Sequence, residues 1–308
     1  MNSSEGKTIE FFGVYFVELN LWSFVLYISV TTIGVFSNGF LIVAILKDPL
    51  KCFRNATSYF IFHLAFVDAL CAMVFMEESL LWFTKFKSID GLPKWFGIIN
   101  TGVFEMILFI NFSSVFSLSL ERCLAIVSPL WHKVKLTSKA CYSWLAMIWI
   151  LGLFLLGIRY FALIYFNQKQ AYSIMAKVVW GIALSALVCY VIAVISVRRQ
   201  RLALEGRTTI SETSRRSTEI RLRNENRFLR TMFIVISVLL LGLVPAMVLF
   251  IITNGAITME TSNNATGYIG IASDVMFLLN CAVNPFIYVW RLPKYRKTFE
   301  VVYCKRNV

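Results

Sequence analysis

The residues of this chain that could do chemistry are few, and most stand inside apolar stretches. Asp68 ends the run Leu64-Ala65-Phe66-Val67-Asp68, Asn38 sits within Ser37-Asn38-Gly39, and Asn111, Asn280 and Asn284 each have apolar neighbours. A carboxylate and several amides in such company suit cation binding or hydrogen-bond exchange. Glu121-Arg122-Cys123 places a charged pair at the end of another apolar run, and Asn284-Pro285-Phe286-Ile287-Tyr288 and Pro245 place prolines where a helix must give up a hydrogen bond. Covalent catalysis fits poorly. The chain has only two histidines, His63 and His132, far apart in sequence, and no nucleophile stands beside a base. A binding or signalling role without a catalysed covalent step follows, with no resident cofactor implied.

What must position these groups is set by hydropathy. The chain has 308 residues, 58% apolar and 15% charged, with mean hydropathy +0.70, which a soluble domain of this size does not show. Seven apolar runs are long enough to cross a bilayer as helices, which takes about 20 residues each. They cover approximately Leu21 to Leu46, Ser58 to Leu81, Phe96 to Arg122, Ala140 to Phe166, Ala176 to Val197, Phe228 to Thr253 and Tyr268 to Trp290. Membrane strands would show shorter alternating segments. The expected fold is therefore an all-α membrane protein, a seven-transmembrane helix bundle over 21–291. Residues 1–20 form an extracellular N-terminus and 292–308 a cytosolic tail. In that tail Leu292, Tyr295, Phe299 and Val302 repeat at helical spacing beside Lys294, Arg296 and Lys297, the pattern of a short amphipathic helix on the inner leaflet, with Cys304 a candidate for palmitoylation.

Lysines and arginines orient the bundle. They crowd the loops around Lys47 to Arg54 and Lys133 to Lys139, the segment 198–227 and the tail, so the N-terminus is expected outside and the C-terminus in the cytosol of a multi-pass plasma-membrane protein. The sequons at Asn2 and Asn264 then face outward and are candidate glycosylation sites, whereas those at Asn55 and Asn111 fall in the cytosol and the bilayer. The net charge of +13 is accounted for by anionic lipid beside the spans, and nucleic acid is not an expected partner. No cleavable leader is read in Met1 to Asn20. The third cytosolic loop, 198–227, carries Ser211, Thr213, Ser214, Ser217 and Thr218 among arginines and reads as a solvated linker whose ends extend the flanking helices.

These motifs, in this order over seven spans, resemble the rhodopsin-like (class A) G-protein-coupled receptors along nearly the whole chain. The resemblance implies an extracellular ligand, activation of heterotrimeric G proteins by a two-state helix movement, and arrestin and receptor kinases as further candidate partners. It makes Glu121-Arg122 and Glu225 a conformational latch, with both acids as mere water-facing juxtamembrane charges the alternative. Pro245 becomes the pivot of the sixth span, and Tyr190 and Tyr288 swing toward Arg122 on activation. Asp68 with Asn38, Asn111, Asn280 and Asn284 matches an allosteric sodium site; a protonated Asp68 hydrogen-bonded to Asn38 and Asn284 is the competing reading.

Departures narrow the resemblance. Gly97 stands where an outer disulfide is usual, Ile182 where the fifth span often has proline, and Leu243 where a toggle tryptophan is usual. With a very short second outer loop, this is similar to the melanocortin, lysophospholipid and cannabinoid branch. Tyr268 to Trp290 holds no lysine, with Leu278 near the place a Schiff base would need, so a retinal photoreceptor is excluded. Glu78, Phe104, Glu105, Leu243 and Asp274 are expected around an outer ligand pocket. Three acids there suit a cationic ligand group, and internal pairing of Glu105 and Asp274 with Arg159 and Lys177 is the rival. A seven-helix transporter or channel, and a receptor-like protein that binds without signalling, are the alternatives.

Overall fold

Long apolar runs have no water to satisfy their backbone, so each closes its hydrogen bonds internally as a helix. The computed structural model describes residues 9–11, 14–16, 21–85, 94–165, 168–205, 212–252 and 264–304. In chain order these form a small hairpin, β1 (Ile9–Phe11) and β2 (Val14–Phe16), then α1 (Leu21–Lys47), α2 (Ala56–Lys85), α3 (Lys94–Val127), α4 (Pro129–Lys135), α5 (Ser138–Tyr165), α6 (Gln168–Glu205), α7 (Glu212–Ile252), α8 (Asn264–Arg291) and α9 (Pro293–Tyr303). The hairpin, antiparallel with Ile9 opposite Phe16, is an element the hydropathy reading of residues 1–20 did not include. So is α4, which begins with a proline at its first position, where the missing N–H costs nothing.

The helices α1, α2, α3, α5, α6, α7 and α8 correspond to the seven expected runs. Six of them are long and apolar enough to cross a membrane among the described residues. The remaining one, α7, runs through Pro245 to Ile252, with the Pro245 side chain outside the described residues. The ends of segment 198–227 extend the flanking helices, as expected: α6 continues to Glu205 and α7 starts at Glu212. Helix starts follow local chemistry. Asn55 Oδ1 accepts from the Ser58 backbone N–H at 3.1 Å to open α2, and Thr137 Oγ1 accepts from the Ala140 N–H at 3.3 Å to open α5.

Packing needs small residues where helices meet. A Cβ at Gly34 would lie 3.1 Å from Ala72 Cβ on α2, and one at Gly152 would lie 3.1 Å from Ile110 on α3. The main core gathers Leu41, Ile61, Leu64, Val67, Ile110, Val115, Leu118, Met232, Cys281 and Tyr288 between α1, α2, α3, α7 and α8. The faces of α5 and α6 carry exposed Ile150, Phe154, Leu184 and Val188, as lipid contact requires. All seven cysteines are free. Helix α9 buries Tyr295 and Thr298, with Leu292 buried just before its start, and leaves Arg296 and Lys297 exposed, the two-sided character read in the sequence. Its Lys294 donates to Ser58 Oγ at 3.3 Å and lies 5.3 Å from the Phe53 ring, and burial there pushes the ammonium below its ordinary range.

Candidate functional site

Three polar centres lie stacked along the bundle. The first is built on Arg122, near the C-terminal end of α3. Its guanidinium donates to both carboxylate oxygens of Glu121 and to Thr57 Oγ1 on α2, reaches Glu225 Oε2 on α7 at 3.4 Å, and lies 4.8 Å from the Phe228 ring. Thr57 in turn donates to Glu121 Oε1 at 3.2 Å. His132 on α4 stands 2.8 Å from the same oxygen. A carboxylate only accepts, so His132 Nε2 carries the proton. The Arg122 and Glu121 side chains are 11% and 1% exposed, so this pair does not merely face water. The sequence reading gives Thr57, His132 and Phe228 no role at this site. A hydroxyl and a histidine carry no sequence signal unless the fold brings α2 and α4 against α3.

The second centre surrounds Asp68. Asn111 Nδ2 donates to Asp68 Oδ1 at 2.6 Å and Asn284 Nδ2 to Oδ2 at 2.8 Å. Asn38 does not bond Asp68, so the competing reading, in which a protonated Asp68 is hydrogen-bonded to Asn38 and Asn284, is met by Asn284 alone. The Asn38 amide donates instead to the carbonyls of Gly34, 2.9 Å, and Cys281, 3.0 Å. Pro285 explains this: lacking an N–H, it leaves the carbonyl four residues earlier, Cys281, without its helical partner, and Asn38 supplies one. Ser37 adds a bond to the Ala282 carbonyl at 2.9 Å, so α1 is fastened to α8 at its proline. Asn280 is brought into the same buried region. Neither its side-chain oxygen nor its nitrogen has a hydrogen-bond partner, and the side-chain oxygens of Asn38, Asn111 and Asn284 also lack one. Tyr288 is buried against Tyr295, while Tyr190 packs on Phe233, ring centroids 6.2 Å apart in each pair.

Beside this centre, Trp149 Nε1 donates to His63 Nε2 at 3.0 Å, which leaves the histidine proton on Nδ1 to donate to Ser114 Oγ, also at 3.0 Å. The Ser114 hydroxyl in turn donates a hydrogen bond to the Ile110 carbonyl at 2.7 Å. Here α2, α3 and α5 are joined through a buried neutral histidine.

The third centre is a cavity of about 190 Å³ in the half of the bundle away from Arg122, lined by Phe75, Phe104, Glu105, Phe112, Trp180, Leu243, Asp274 and Phe277 among others. Phe104, Glu105, Leu243 and Asp274 are thus brought together as expected. Glu78 is not among the lining residues; Asn100 Nδ2 stands 3.4 Å from its carboxylate. Arg159 Nε donates to Glu105 Oε2, and both side chains are buried, at 4% and 7% exposure. Asp274 accepts from the Tyr27 hydroxyl at 3.0 Å and makes no ion pair with Lys177, which is exposed. Internal pairing therefore holds for Glu105 and fails for Asp274. Asn2 lies outside the described residues, as does the side chain of Asn264.

A helical bundle with a charged cluster at one end, a buried carboxylate at its middle and an aromatic cavity toward the other end is the architecture of a membrane receptor. Residues 37–288 match the family described as 7 transmembrane receptor (rhodopsin family), and the chain belongs to it. It is similar to human neuromedin-U receptor 1, 22% identical over 98% of this chain and 78% of that protein. It is also similar to mouse neuromedin-U receptor 2, 28% identical over 48% of this chain and 37% of that protein, and to mouse Mas-related G-protein coupled receptor member A6, 32% identical over 35% of each. Squid rhodopsin shares the fold, with a TM-score of 0.73 at 17% identity over 93% of this chain and 87% of that one. The protein is a G-protein-coupled receptor of the plasma membrane, multi-pass and without enzymatic activity of its own. Neither the transporter or channel reading nor the non-signalling one is favoured.

Proposed function

We propose that this receptor takes a peptide ligand from outside the cell and couples to a heterotrimeric G protein through the lock on Arg122. The observation that carries the reading is that one guanidinium bonds α2, α3 and α7 together. Any outward movement of α7 at its cytosolic end must break the Glu225 contact. Ligand bound among the outer halves of the helices favours the moved state by its difference in affinity for the two states. Pro245 is the pivot, and Tyr190 and Tyr288 turn toward the released Arg122. The similarity to neuromedin-U receptors supports a peptide. The N-terminus lies outside and the C-terminus in the cytosol, where arrestin and receptor kinases are further partners. Glycans on Asn2 and Asn264 and an acyl chain on Cys304 complete the arrangement. The short second outer loop and free cysteines support kinship with the melanocortin, lysophospholipid and cannabinoid branch.

Asp68 is the residue to hold a sodium ion in the inactive state. The donor set supports this: beside the Asp68 carboxylate, the buried amide oxygens of Asn111, Asn280 and Asn284 lack hydrogen-bond donors, with the Cys281 sulfur a soft neighbour, 4.0 Å from Asn111 Nδ2. When bound, sodium supplies charge that balances the carboxylate. Of the three outer acids, Asp274 is the one to meet a ligand cation, since its partner is a neutral hydroxyl while Glu105 is already neutralised. A screen of peptide, amine and lipid libraries in cells carrying chimeric G proteins, against empty-vector cells, tests the proposal. Activation by peptides supports it; response to lipids alone overturns the ligand class.

A further inference from the structure

Helix α3 ends at Val127, so the carbonyls of its last turn have no N–H four residues further on within the helix. That of Leu124 accepts from the Ser128 N–H at 2.9 Å, and that of Ile126 accepts from Gln200 Nε2 on α6 at 2.8 Å. Gln200 Oε1 accepts in turn from Arg221 Nη2 on α7 at 3.1 Å. A carbonyl only accepts and a guanidinium only donates, so the amide serves both in one orientation alone. Neither a carboxylate nor an ammonium in its place can make both bonds. Cys123, Ile126, Ala193, Val197 and Leu229 form an apolar cluster shared by α3, α6 and α7, and Gln200 stands three residues beyond Val197 on α6. Gln200 is half-buried and Arg221 exposed, so one neutral side chain joins three helices at the edge of that cluster.

On α7, Arg221 precedes Glu225 by four residues, one helical turn on the same face. The two side chains reach different helices, Glu225 meeting Arg122 on α3 and Arg221 meeting Gln200 on α6. We propose that Gln200 is a positioning residue for the signalling movement, a second restraint that holds α6 to α3 and α7 to α6 in the resting state. This rests on the two-state reading above. An α7 that swings outward as one body breaks the Arg221 and Glu225 contacts in the same step. The contacts share no partner, so their free energies add and their effects on the active fraction multiply. The two arms of Gln200 differ in strength. The exposed Arg221 finds water as soon as it leaves the amide, whereas the bond to Ile126 is partly buried, and breaking it leaves a helix-end carbonyl without its donor.

The test uses full-length receptor carrying Gln200→Met, which keeps the stem of the side chain and removes both bonds, or Arg221→Met, which removes one. Spin labels on the exposed positions Val127→Cys, Leu202→Cys and Ile220→Cys, taken in pairs with Cys52, Cys189 and Cys304 replaced, report the α3 to α6 and α6 to α7 separations. Ligand-independent nucleotide exchange on a purified G protein is read in parallel at matched receptor density. Expected are longer distances for both pairs in Gln200→Met, and for the α6 to α7 pair alone in Arg221→Met. Basal exchange should rise about fivefold in the first and about twofold in the second. Arg221→Met should add nothing in the Gln200→Met background, whereas Glu225→Ala should multiply its effect; a side chain that merely supports packing produces neither pattern. Unchanged distances in Gln200→Met overturn the restraint. Flat basal exchange in Gln200→Met, where Glu225→Ala raises it, overturns the part of Gln200 in signalling. Lengthened distances with flat exchange in all three variants uphold the restraint and overturn the two-state reading instead.

Discussion

Replacing Glu225 by Ala removes one identifiable part of the inner lock. Arg122 Nη1 lies 3.4 Å from Glu225 Oε2, with the two side chains 11% and 21% exposed. Exposed ion pairs contribute about 0.2–1 kcal/mol and hydrogen bonds to charged groups about 1.5–3 kcal/mol. A long contact open to solvent on one side belongs near 1 kcal/mol. If the contact exists only in the inactive state, its loss raises the active-to-inactive ratio about fivefold. A receptor with roughly 1% of its molecules active without ligand would then show roughly 5%. The rise should stay that modest because Arg122 keeps Glu121, Thr57 and the Phe228 ring. Ligand-independent nucleotide exchange on a purified G protein, in membranes with matched receptor density, measures it. Basal exchange equal to that of the unmutated receptor, in a preparation that still responds to agonist, would refute the reasoning. Arg122→Ala, by contrast, should abolish coupling at unchanged surface expression.

The remaining expectations concern the other two centres. Sodium should raise the melting temperature of the purified receptor more than an equal concentration of a bulky cation, and Asp68→Asn should remove the difference; identical melting in both salts favours a protonated Asp68. Asp274→Asn should weaken a cationic agonist about tenfold, or about 1.4 kcal/mol, in a competition assay, and unchanged affinity would point to a neutral ligand. Glu105→Gln should instead cost stability, about 3–5 kcal/mol, because Arg159 is left buried without its counter-charge, and thermal unfolding at matched expression reads this directly. Trp149→Phe strips His63 Nε2 of its donor and should destabilise the receptor by about 1 kcal/mol, visible as a melting shift of a few degrees; no shift would mean the bond contributes nothing.

The sequence by itself determined the class of fold and the depth of each polar group. Apolar runs of bilayer length admit only helices, and a charged or amide side chain inside such a run has to find a partner within the bundle, so Asp68, Asn111, Asn284 and Arg122 were visible as residues with a purpose. Lateral position along a run is not encoded in this way. Asn38 has the same polar, mid-span character as Asn111, yet it serves the carbonyl freed by Pro285 while Asn111 serves Asp68. Glu105 and Asp274 likewise read as equal acids at similar depth. Only the approach of α5, which brings Arg159 onto Glu105, and of α1, which brings Tyr27 onto Asp274, made one a neutralised wall and left the other with a neutral partner. That the ends of segment 198–227 extend the helices was legible, but how far α7 reaches, back to Glu212, is a tertiary result, since its polar sequence has little apolar surface to bury and Leu222 packs inward only where the bundle receives it. Hydropathy reports transfer from water, a property of each residue alone; partner choice depends on which helices meet, and that is settled by packing.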